Sequence, residues 1–489
     1  MDLHLHPFRW LSFLHLLTAL LVASDQPNIL LIVSEDNGPE LSCYGEPHVK
    51  TPILDRLAME GVRFDRAYVP QAGCSQSRAA YLTGLYPHQN GQIGLATWKF
   101  RMYREDTPNM VRSLKKAGYR TGIIGKLHVN PASAFPFDFK AVPDANFSRR
   151  KLSRYAEESA RFFQAGKEPF FLSINYPDAH RPFIKSKSNL PAKPLTADQV
   201  KTLAYIGLES EGLRQQVADY YNCMARLDAL VGELLARLKA SGKYDDTLII
   251  YLGDHGADLI RGKRTCYEGG VRVPFIVRLP KGKAGQVRRE LVSTLDLLPT
   301  FLEVSGADPV PDLPGRSLLP LLRGKKPKWR KYMPTEFHLH SAHNYFPQRA
   351  IRNDRYKLIE NLQPGEEDPG YAFTVNRFFG QQVLASLPKA TKAIQDAYAR
   401  MKRPPKYQLF DLKTDPYEFV NLAGDPAHRD ALDELSAELT RWRRATRDPL
   451  LNPVNVTRLK AEIDGIRHGN DFNKAKIGQW KYPEYFFKK

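Results

Sequence analysis

The stretch Asn28-Ile-Leu-Leu-Ile-Val33 is a short apolar run typical of a buried β-strand, and acidic residues follow it closely. Helical patterns separate it from similar runs later in the chain. The clearest helix has an apolar face from Val217 to Leu238, with Gly242 placed to end it. Strands that alternate with helices predict an α/β fold, with a large mixed, mostly parallel sheet flanked by helices. The other apolar runs are Tyr119–Ile124, Pro169–Ile174 and Thr247–Leu252.

Acidic, basic or imidazole side chains follow each of these four predicted strands. In open α/β sheets, ligands bind beyond the carboxyl ends of the strands. One such side chain is usually only a structural polar residue, but four sets at one edge of a sheet predict a charged pocket. The residues are, in chain order, Glu35 and Asp36, Lys126 and His128, Asp178 and His180, and Asp254 and His255.

Two of these pairs suit a metal ion. Glu35 and Asp36 are adjacent carboxylates, and Asp254 and His255 form an acid–imidazole pair. Oxygen-rich sites of this kind favour Ca²⁺ or Mg²⁺, whereas zinc prefers more nitrogen and sulfur ligands. Either pair alone is also typical of a helix cap or a turn.

The pattern changes beyond about residue 330. Tyr356–Ile359 and Tyr407–Leu412 are typical of antiparallel strands, and 431–442 of an amphipathic helix. We therefore predict a larger domain over 25–330 and a smaller C-terminal α+β domain with an antiparallel sheet over 331–489. The tail from Leu451 has a net charge of +4, with eight Lys or Arg against four Asp or Glu. We expect it to be a solvated extension; wrapping around the body or contacting an anionic substrate are the alternatives.

Residues 1–24 have the form of a secretory signal peptide. Arg9 precedes the apolar run Leu11–Ala23, which ends in small residues before the polar Asp25. This pattern predicts a secreted or periplasmic protein, or a lysosomal one in a eukaryote. An uncleaved anchor or a disordered arm is the alternative. No later stretch has the roughly 20 apolar residues that cross a bilayer, so no membrane span is expected there.

The charge of the chain suggests an anionic partner without identifying it. The 489 residues carry a formal net charge of +19, which suits nucleic acid, anionic lipid or an acidic polysaccharide equally well. No zinc-finger, RNA-binding or helix-turn-helix signature accompanies the charge, so we expect no nucleic-acid partner. The four cysteines are too few for a disulfide framework. Nothing in the sequence defines an oligomeric state.

The segment Gly73-Cys-Ser-Gln-Ser-Arg78, continued to Leu82-Thr-Gly84, resembles the signature of the formylglycine sulfatases of the alkaline phosphatase superfamily. That signature is Cys-x-Pro-x-Arg at a helix N-terminus, with Leu-Thr-Gly a few residues later. A helix N-terminus suits an anionic oxygen because its free amides and dipole favour negative charge. A buried hydrophobic role is the alternative for an isolated cysteine. The resemblance continues in order through Thr51–Ala58, Asp254–Gly256, Tyr267–Pro274 and Gly315–Leu318.

The resemblance implies a role for each residue at a matching position. Cys74 is oxidised to formylglycine by a formylglycine-generating enzyme, and the hydrated aldehyde attacks sulfur. Two departures are Gln76, where the family has Pro at a position read by the oxidising enzyme, and Glu35, where Asp is usual. The implied metal ligands are Glu35, Asp36, Asp254, His255 and the oxidised Cys74. Arg78 would hold the formylglycine oxygen, Lys126, His128 and Lys263 would surround the sulfate, and His180 would protonate the leaving group.

Four shorter stretches resemble the sulfamidase branch of this family. They are His88–Gly91, Thr121–Lys126, Pro136–Phe139 and Thr446–Pro449. This resemblance implies a sulfated oligo- or polysaccharide substrate and cleavage of the N-sulfate of glucosamine in heparin or heparan sulfate. The alternatives are an O-sulfatase for another polysaccharide, a phosphonate or phosphate monoester hydrolase, and an inactive glycan-binding relative. His338, His340, His343 and Arg349 are candidates to line the sugar-binding side of the pocket, although histidine-rich loops are more often merely polar.

Overall fold

The structure is a computed structural model that describes residues 26–468, 471–472 and 477–487. The predicted signal peptide, residues 1–24, lies outside the described residues. No helix in the described part of the chain combines the length and the apolar character that a bilayer crossing requires. All four cysteines are free thiols.

Seventeen strands lie within the described ranges. In chain order they are β1 (Asn28–Ser34), β2 (Val62–Phe64), β3 (Ala67–Tyr68), β4 (Arg120–Gly125), β5 (Phe139–Ala141), β6 (Phe170–Tyr176), β7 (Thr247–Gly253), β8 (Arg272–Val273), β9 (Phe275–Arg278), β10 (Gln286–Arg288), β11 (Val292–Ser293), β12 (Met333–Phe337), β13 (Gln348–Arg352), β14 (Tyr356–Asn361), β15 (Tyr407–Asp411), β16 (Arg467–His468) and β17 (Asp471–Phe472).

Eight of these strands form one large sheet in the order β10-β2-β9-β7-β1-β6-β4-β5. Only β9 is antiparallel to its neighbours in this sheet, β2 and β7. The four strands predicted from apolar runs, β1, β4, β6 and β7, are consecutive at its centre in the order β7-β1-β6-β4. Ile29 pairs with Phe171 on one side and Leu248 on the other, both in parallel register. The predicted mixed, mostly parallel sheet is therefore confirmed.

Helices cover both faces of this sheet. The α-helices are α1 (Pro52–Glu60), α2 (Cys74–Thr83), α3 (Pro87–Asn90), α4 (Met110–Lys116), α5 (Ser153–Gln164), α6 (Glu211–Ala240), α7 (Glu268–Val271), α8 (Leu297–Ser305), α9 (Leu319–Leu322), α10 (Pro369–Thr374), α11 (Gly380–Ser386), α12 (Lys392–Lys402), α13 (Arg429–Ala445), α14 (Pro453–Asp464) and α15 (Tyr482–Phe486). A π-helical turn over Val375–Phe379 joins α10 to α11.

The alternation of side chains along β1 explains its continuous apolar sequence. Leu30 and Ile32 pack in one core with residues of α6 such as Met224. Leu31 and Val33 face the opposite core, which includes Phe301 of α8. Because both faces of the strand are buried, every position along it favours an apolar side chain.

The C-terminal part contains the predicted antiparallel sheet, in the order β12-β13-β14-β15. Helix α13 packs on this sheet through Leu435 and Leu439, which contact Leu358 and neighbouring apolar residues. The sequence-based expectation of a solvated tail is wrong for the described residues beyond Leu451. Trp480 stacks on Phe100 with ring centroids 4.3 Å apart, and the buried Tyr482 donates a hydrogen bond to the main-chain oxygen of Arg101. The tail wraps the body because its aromatic side chains gain burial there.

Candidate active site

The residues that follow the central strands lie together at one edge of the large sheet. The main-chain amide of Asp36, after β1, donates a 2.9 Å hydrogen bond to Asp254 Oδ1, after β7. The side-chain ligand atoms of Glu35, Asp36, Cys74 and His180 lie within 4.8 Å of one another. The corresponding atoms of Cys74, Asp254 and His255 form a second such group. The predicted convergence of these strand ends is thus present.

Cys74 begins helix α2 and connects these two groups. Its Sγ atom lies 3.4 Å from His255 Nε2 and 4.0 Å from Asp36 Oδ1, and the side chain is buried. Burial alone would raise the pKa of the Cys74 thiol, but Lys126, Lys263 and His255 together hold it well below its usual value. The surroundings of Cys74 therefore stabilise negative charge at the start of the helix.

Glu35 is held by two cations. Its carboxylate accepts hydrogen bonds from Arg78 and, at 2.9 Å, from Lys126 Nζ. Burial would raise the pKa of Glu35, but Lys126 and Arg78 lower it to about 2. Arg78 Nη2 also lies 3.2 Å from Asp254 Oδ2, and Arg78 Nη1 donates a 2.6 Å hydrogen bond to Asn175 of β6. The additional methylene of Glu35 is accommodated in a fully paired arrangement.

Lys263 approaches from the loop after β7. Its Nζ atom donates hydrogen bonds of 2.9 and 3.0 Å to the two carboxylate oxygens of Asp36. His255 Nε2 lies 3.2 Å from Asp36 Oδ1. Burial would lower the pKa of His255, but Asp254 and Asp36 raise it to about 9. His255 Nδ1 faces the main-chain oxygen of Gly256 at 2.9 Å and so donates to it, which fixes the ring.

A cavity of about 540 Å³ opens beside Cys74, and Lys126, His128, His180 and His340 line it. Both ring nitrogens of His128 are buried without a hydrogen-bond partner, as is Nε2 of His340. Burial, reinforced by Lys126, lowers the pKa of His128 to about 4. Burial likewise lowers the pKa of His340 to about 3. Two neutral imidazoles thus face the space next to Cys74.

His180 also faces this cavity, and its ring orientation is defined. The ring stacks on Phe147 with centroids 3.7 Å apart and planes 8° apart. Its Nδ1 atom lies 2.5 Å from the main-chain oxygen of Arg181. A carbonyl oxygen only accepts, so Nδ1 carries a proton and Nε2 is the nitrogen left for a ligand.

The histidines of the segment after β12 lie in different surroundings. His340 lines the cavity beside Cys74, and His343 lines an adjoining one. The expectation is wrong for His338 and Arg349, which are buried in a separate network. Arg349 donates to His338 Nε2 at 3.0 Å and to Asp448 at 2.7 and 2.9 Å. Asp448 compensates the buried charge of Arg349 there, away from the cavity.

Asp178 and Gln76 make contacts that the sequence pattern did not predict. Asp178 follows β6 but turns away to accept hydrogen bonds from Arg149 and Arg226, at 3.0 and 2.7 Å. Gln76 donates to the main-chain oxygens of Ile93 and Leu339, and the bond to Leu339 bridges α2 to the C-terminal part. The sequence could not reveal this bridge because its acceptors are main-chain atoms far away in the chain.

The acidic cluster has the donor set of a hard divalent cation. Three carboxylates, Glu35, Asp36 and Asp254, are buried together. Burial and the nearby Glu35 raise the pKa of Asp254 to about 6. Its Oδ2 atom is buried and accepts no hydrogen bond. A bound cation would relieve this crowding of negative charge, so these residues fit such an ion.

Comparison with known proteins gives the family. The sequence model of the sulfatase family matches residues 27–307, and a second model, described as N-sulphoglucosamine sulphohydrolase, C-terminal, matches residues 253–369. The chain therefore belongs to the sulfatase family and is a hydrolase of sulfate esters or sulfamates. Cys74, the carboxylates and the basic residues around them lie within the first matched range.

Two relatives and one solved structure are similar to this chain. Human N-sulphoglucosamine sulphohydrolase is 31% identical, over 86% of this chain and 91% of its own. An ulvan-active sulfatase of Formosa agariphila is 30% identical, over 91% of this chain and 87% of its own. A protein solved with its substrate D-glucosamine-2-N,6-O-disulfate is 21% identical, with a TM-score of 0.64, over 86% of this chain and 98% of its own. The similarity to this last structure shows only that the two proteins share a fold.

Proposed function

We propose that this protein removes the N-sulfate of glucosamine in heparin or heparan sulfate, using an oxidised Cys74 and a divalent cation. Activity on sulfated glycans is common to the relatives named above. One observation carries the proposal: Cys74 begins a helix beside buried carboxylates, in a cavity lined by Lys126, His128 and His180. The human relative favours the N-sulfate, since it matches along nearly the whole chain.

Cys74 would be converted to formylglycine by a formylglycine-generating enzyme before it acts. The hydrated aldehyde would supply an oxygen nucleophile at sulfur. Arg78 would hold an oxygen of this group, because it is fixed between Glu35, Asp254 and Asn175. The free amides at the start of α2 would stabilise negative charge there.

The basic residues would act on the sulfuryl group. Lys126 and Lys263 would stabilise its oxygens as charge develops, usually the largest contribution in sites of this kind. His128, which is neutral at physiological pH, would accept or return a proton near the nucleophile. His180 Nε2 would protonate the departing nitrogen or oxygen of the sugar, since Nδ1 already donates to the main chain.

Glu35, Asp36, Asp254, His255 and the modified Cys74 would hold the metal ion, which would bind and polarise the nucleophilic oxygen. We propose Ca²⁺, with Mg²⁺ as the competitor, because carboxylate oxygens dominate the donor set. The catalytic domain would span 25–330 and the smaller domain 331–489. A signal peptide over 1–24 would direct export.

An O-sulfatase that acts on another sulfated polysaccharide is the second candidate. The ulvan-active relative, 30% identical over a similar share of the chain, favours it. The two candidates would use the same nucleophile and metal site. They would differ in how the sugar is bound and in whether the S–N or the S–O bond is broken.

The first experiment is peptide mass spectrometry across Cys74, on protein co-expressed with a formylglycine-generating enzyme. We expect a mass loss that corresponds to conversion of the thiol to an aldehyde. The modified protein is then assayed on N-sulfated and O-sulfated glucosamines, with Cys74→Ala as the inactive control and Cys223→Ala as a matched control at another buried cysteine. An unmodified thiol, hydrolysis of a phosphate monoester instead of these sulfated sugars, or turnover by Cys74→Ala would contradict the proposal.

A further inference from the structure

A second cavity adjoins the one beside Cys74. Its volume is about 580 Å³, and His180 and His340 line both cavities. A substrate whose sulfate lies beside Cys74 would therefore extend past these two histidines into the second space.

The second cavity has an excess of positive charge. Arg181, Lys263, Arg264 and Arg377 line it, together with a single carboxylate, Asp258. Asp258 contacts Arg264 and lies 4.0 Å from both Arg181 and Lys263. Lys263 is paired more closely with Asp36, so the two arginines share the one negative charge of Asp258.

Arg377 also lines the second cavity, but it takes no part in the ion pairs of Asp258. Within the part of the chain that the structure describes, no carboxylate lies within ion-pair distance of its guanidinium. The guanidinium instead lies over the rings of Phe373 and Phe378, 5.3 and 5.4 Å from their centroids. The side chain is exposed at the cavity, on the π-helical turn.

The rings of Phe373 and Phe378 also contact two of the other arginines. Arg181 lies 4.9 Å from the centroid of Phe378, and Arg264 lies 5.8 Å from that of Phe373. Arg264 is buried, and its Nε atom has no hydrogen-bond partner. Cation–π contacts therefore help to orient three guanidinium groups toward one space. Asp258, paired with Arg264 and near Arg181, offsets part of their charge. Guanidinium groups bind sulfate and carboxylate through paired hydrogen bonds.

We propose that the cavity lined by Arg181, Arg264 and Arg377 binds a second anionic group of the substrate. The substrate would then be a glycan with two anionic groups, one hydrolysed beside Cys74 and the other held by the arginines. The second group is a sulfate on the same sugar or the carboxylate of the neighbouring uronic acid. This inference rests on the proposed function and adds to it a recognition element outside the catalytic residues.

The test measures binding, so that it does not depend on turnover. Full-length Cys74→Ala protein is titrated by calorimetry with glucosamine N-sulfate, with glucosamine N,6-disulfate, and with a disaccharide of N-sulfoglucosamine and a uronic acid. We expect at least one doubly anionic probe to bind about tenfold more tightly than glucosamine N-sulfate, the gain of about one hydrogen bond to a charged group. The probe that gains affinity identifies the second group as sulfate or carboxylate.

Arg377→Gln, made in the same Cys74→Ala protein, should remove most of this preference. The exposed Arg403, on the flank of α12, is the matched control, and Arg403→Gln should retain the preference. Equal affinities for all three probes, no binding of any, or a preference that survives Arg377→Gln would each overturn the inference. Failure of the proposed function is distinct, because it appears as a lack of sulfate release by the protein with modified Cys74.

Discussion

The side-chain amide of Gln76 lies 2.7 Å from the main-chain oxygen of Leu339 and donates a hydrogen bond to it. Gln76 occupies the third position of α2, two residues after Cys74, and Leu339 immediately precedes His340. A second main-chain contact, 2.9 Å from Leu95 N to His340 O, fixes the same segment. The helix that carries the proposed nucleophile is thus joined directly to the segment that supplies a histidine to its cavity.

Gln76→Pro should lower kcat/KM by about tenfold, when the rate is divided by the amount of enzyme whose Cys74 is modified. Proline is tolerated in the first turn of a helix, but it removes the hydrogen bonds to Leu339 and Ile93, each worth about 1 kcal/mol. The assay pairs steady-state rates with mass spectrometry of Cys74 in the same samples. Ser77→Ala is the matched control, since Ser77 Oγ makes no hydrogen bond. Rates equal to those of the parent would show that this bridge does not position His340.

His180→Ala should reduce turnover of a sulfated sugar far more than turnover of an activated aryl sulfate. An aryl oxide departs without protonation, whereas an amine or alkoxide of a sugar needs an acid. We expect a loss of about 10²–10⁴-fold on the sugar, the usual contribution of general acid catalysis. Comparison of kcat on both substrates checks this. Equal losses on the two would exclude the acid role and leave His180 as a binding residue.

Addition of Ca²⁺ to chelator-treated protein should raise both its melting temperature and its activity. The ion relieves repulsion among Glu35, Asp36 and Asp254, and at a hundredfold excess over its Kd it adds about 2.7 kcal/mol to the free energy of unfolding. Differential scanning fluorimetry with Ca²⁺ and with Mg²⁺ ranks the two ions. Asp254→Asn should reduce the response, while Asp245→Asn, on an exposed side chain, should retain it. An unchanged melting temperature with both ions would contradict the metal site.

Glu336 should make the stability of the protein depend on pH in the acid range. Burial would raise the pKa of this carboxylate, but His88, His338 and Arg349 lower it to about 2. A lowered carboxylate pKa contributes stability that is present above the unfolded value near 4.5 and is lost as the pH falls toward about 2. The free energy of unfolding, from denaturant titrations, should therefore decline across this range.

Glu336→Gln should lower the free energy of unfolding at neutral pH by about 3 kcal/mol, because it breaks the buried pairing of Glu336 with His88 and Arg349. It should also weaken the decline in stability between pH 4.5 and 2. Glu434→Gln, at the exposed ion pair with Lys331, is the control and should change stability by less than about 1 kcal/mol. If the full decline in stability persists in Glu336→Gln, then other carboxylates cause it.

Much of the fold follows from the sequence because β1, β4, β6 and β7 are buried on both faces and need unbroken apolar runs. Most of the candidate site follows for the same reason, since its polar residues come directly after those runs. Cys74, Arg78 and Lys263 follow no such run, and their roles were predicted from family resemblance alone. The different surroundings of His338 and His340 could not be predicted, because they depend on packing between distant parts of the chain. The packing of the tail beyond Leu451 against the body was not predicted, because the prediction rested on the net charge of the tail and not on its few aromatic residues.

The burial of Cys74 sets a time limit on its chemistry during biosynthesis. In the folded chain its side chain is only 1% exposed, and the wall of its cavity includes His340, which comes from the C-terminal part of the chain. The proposed modifying enzyme would need this cysteine in an accessible peptide, so it would act before the segment that carries His340 packs beside Cys74.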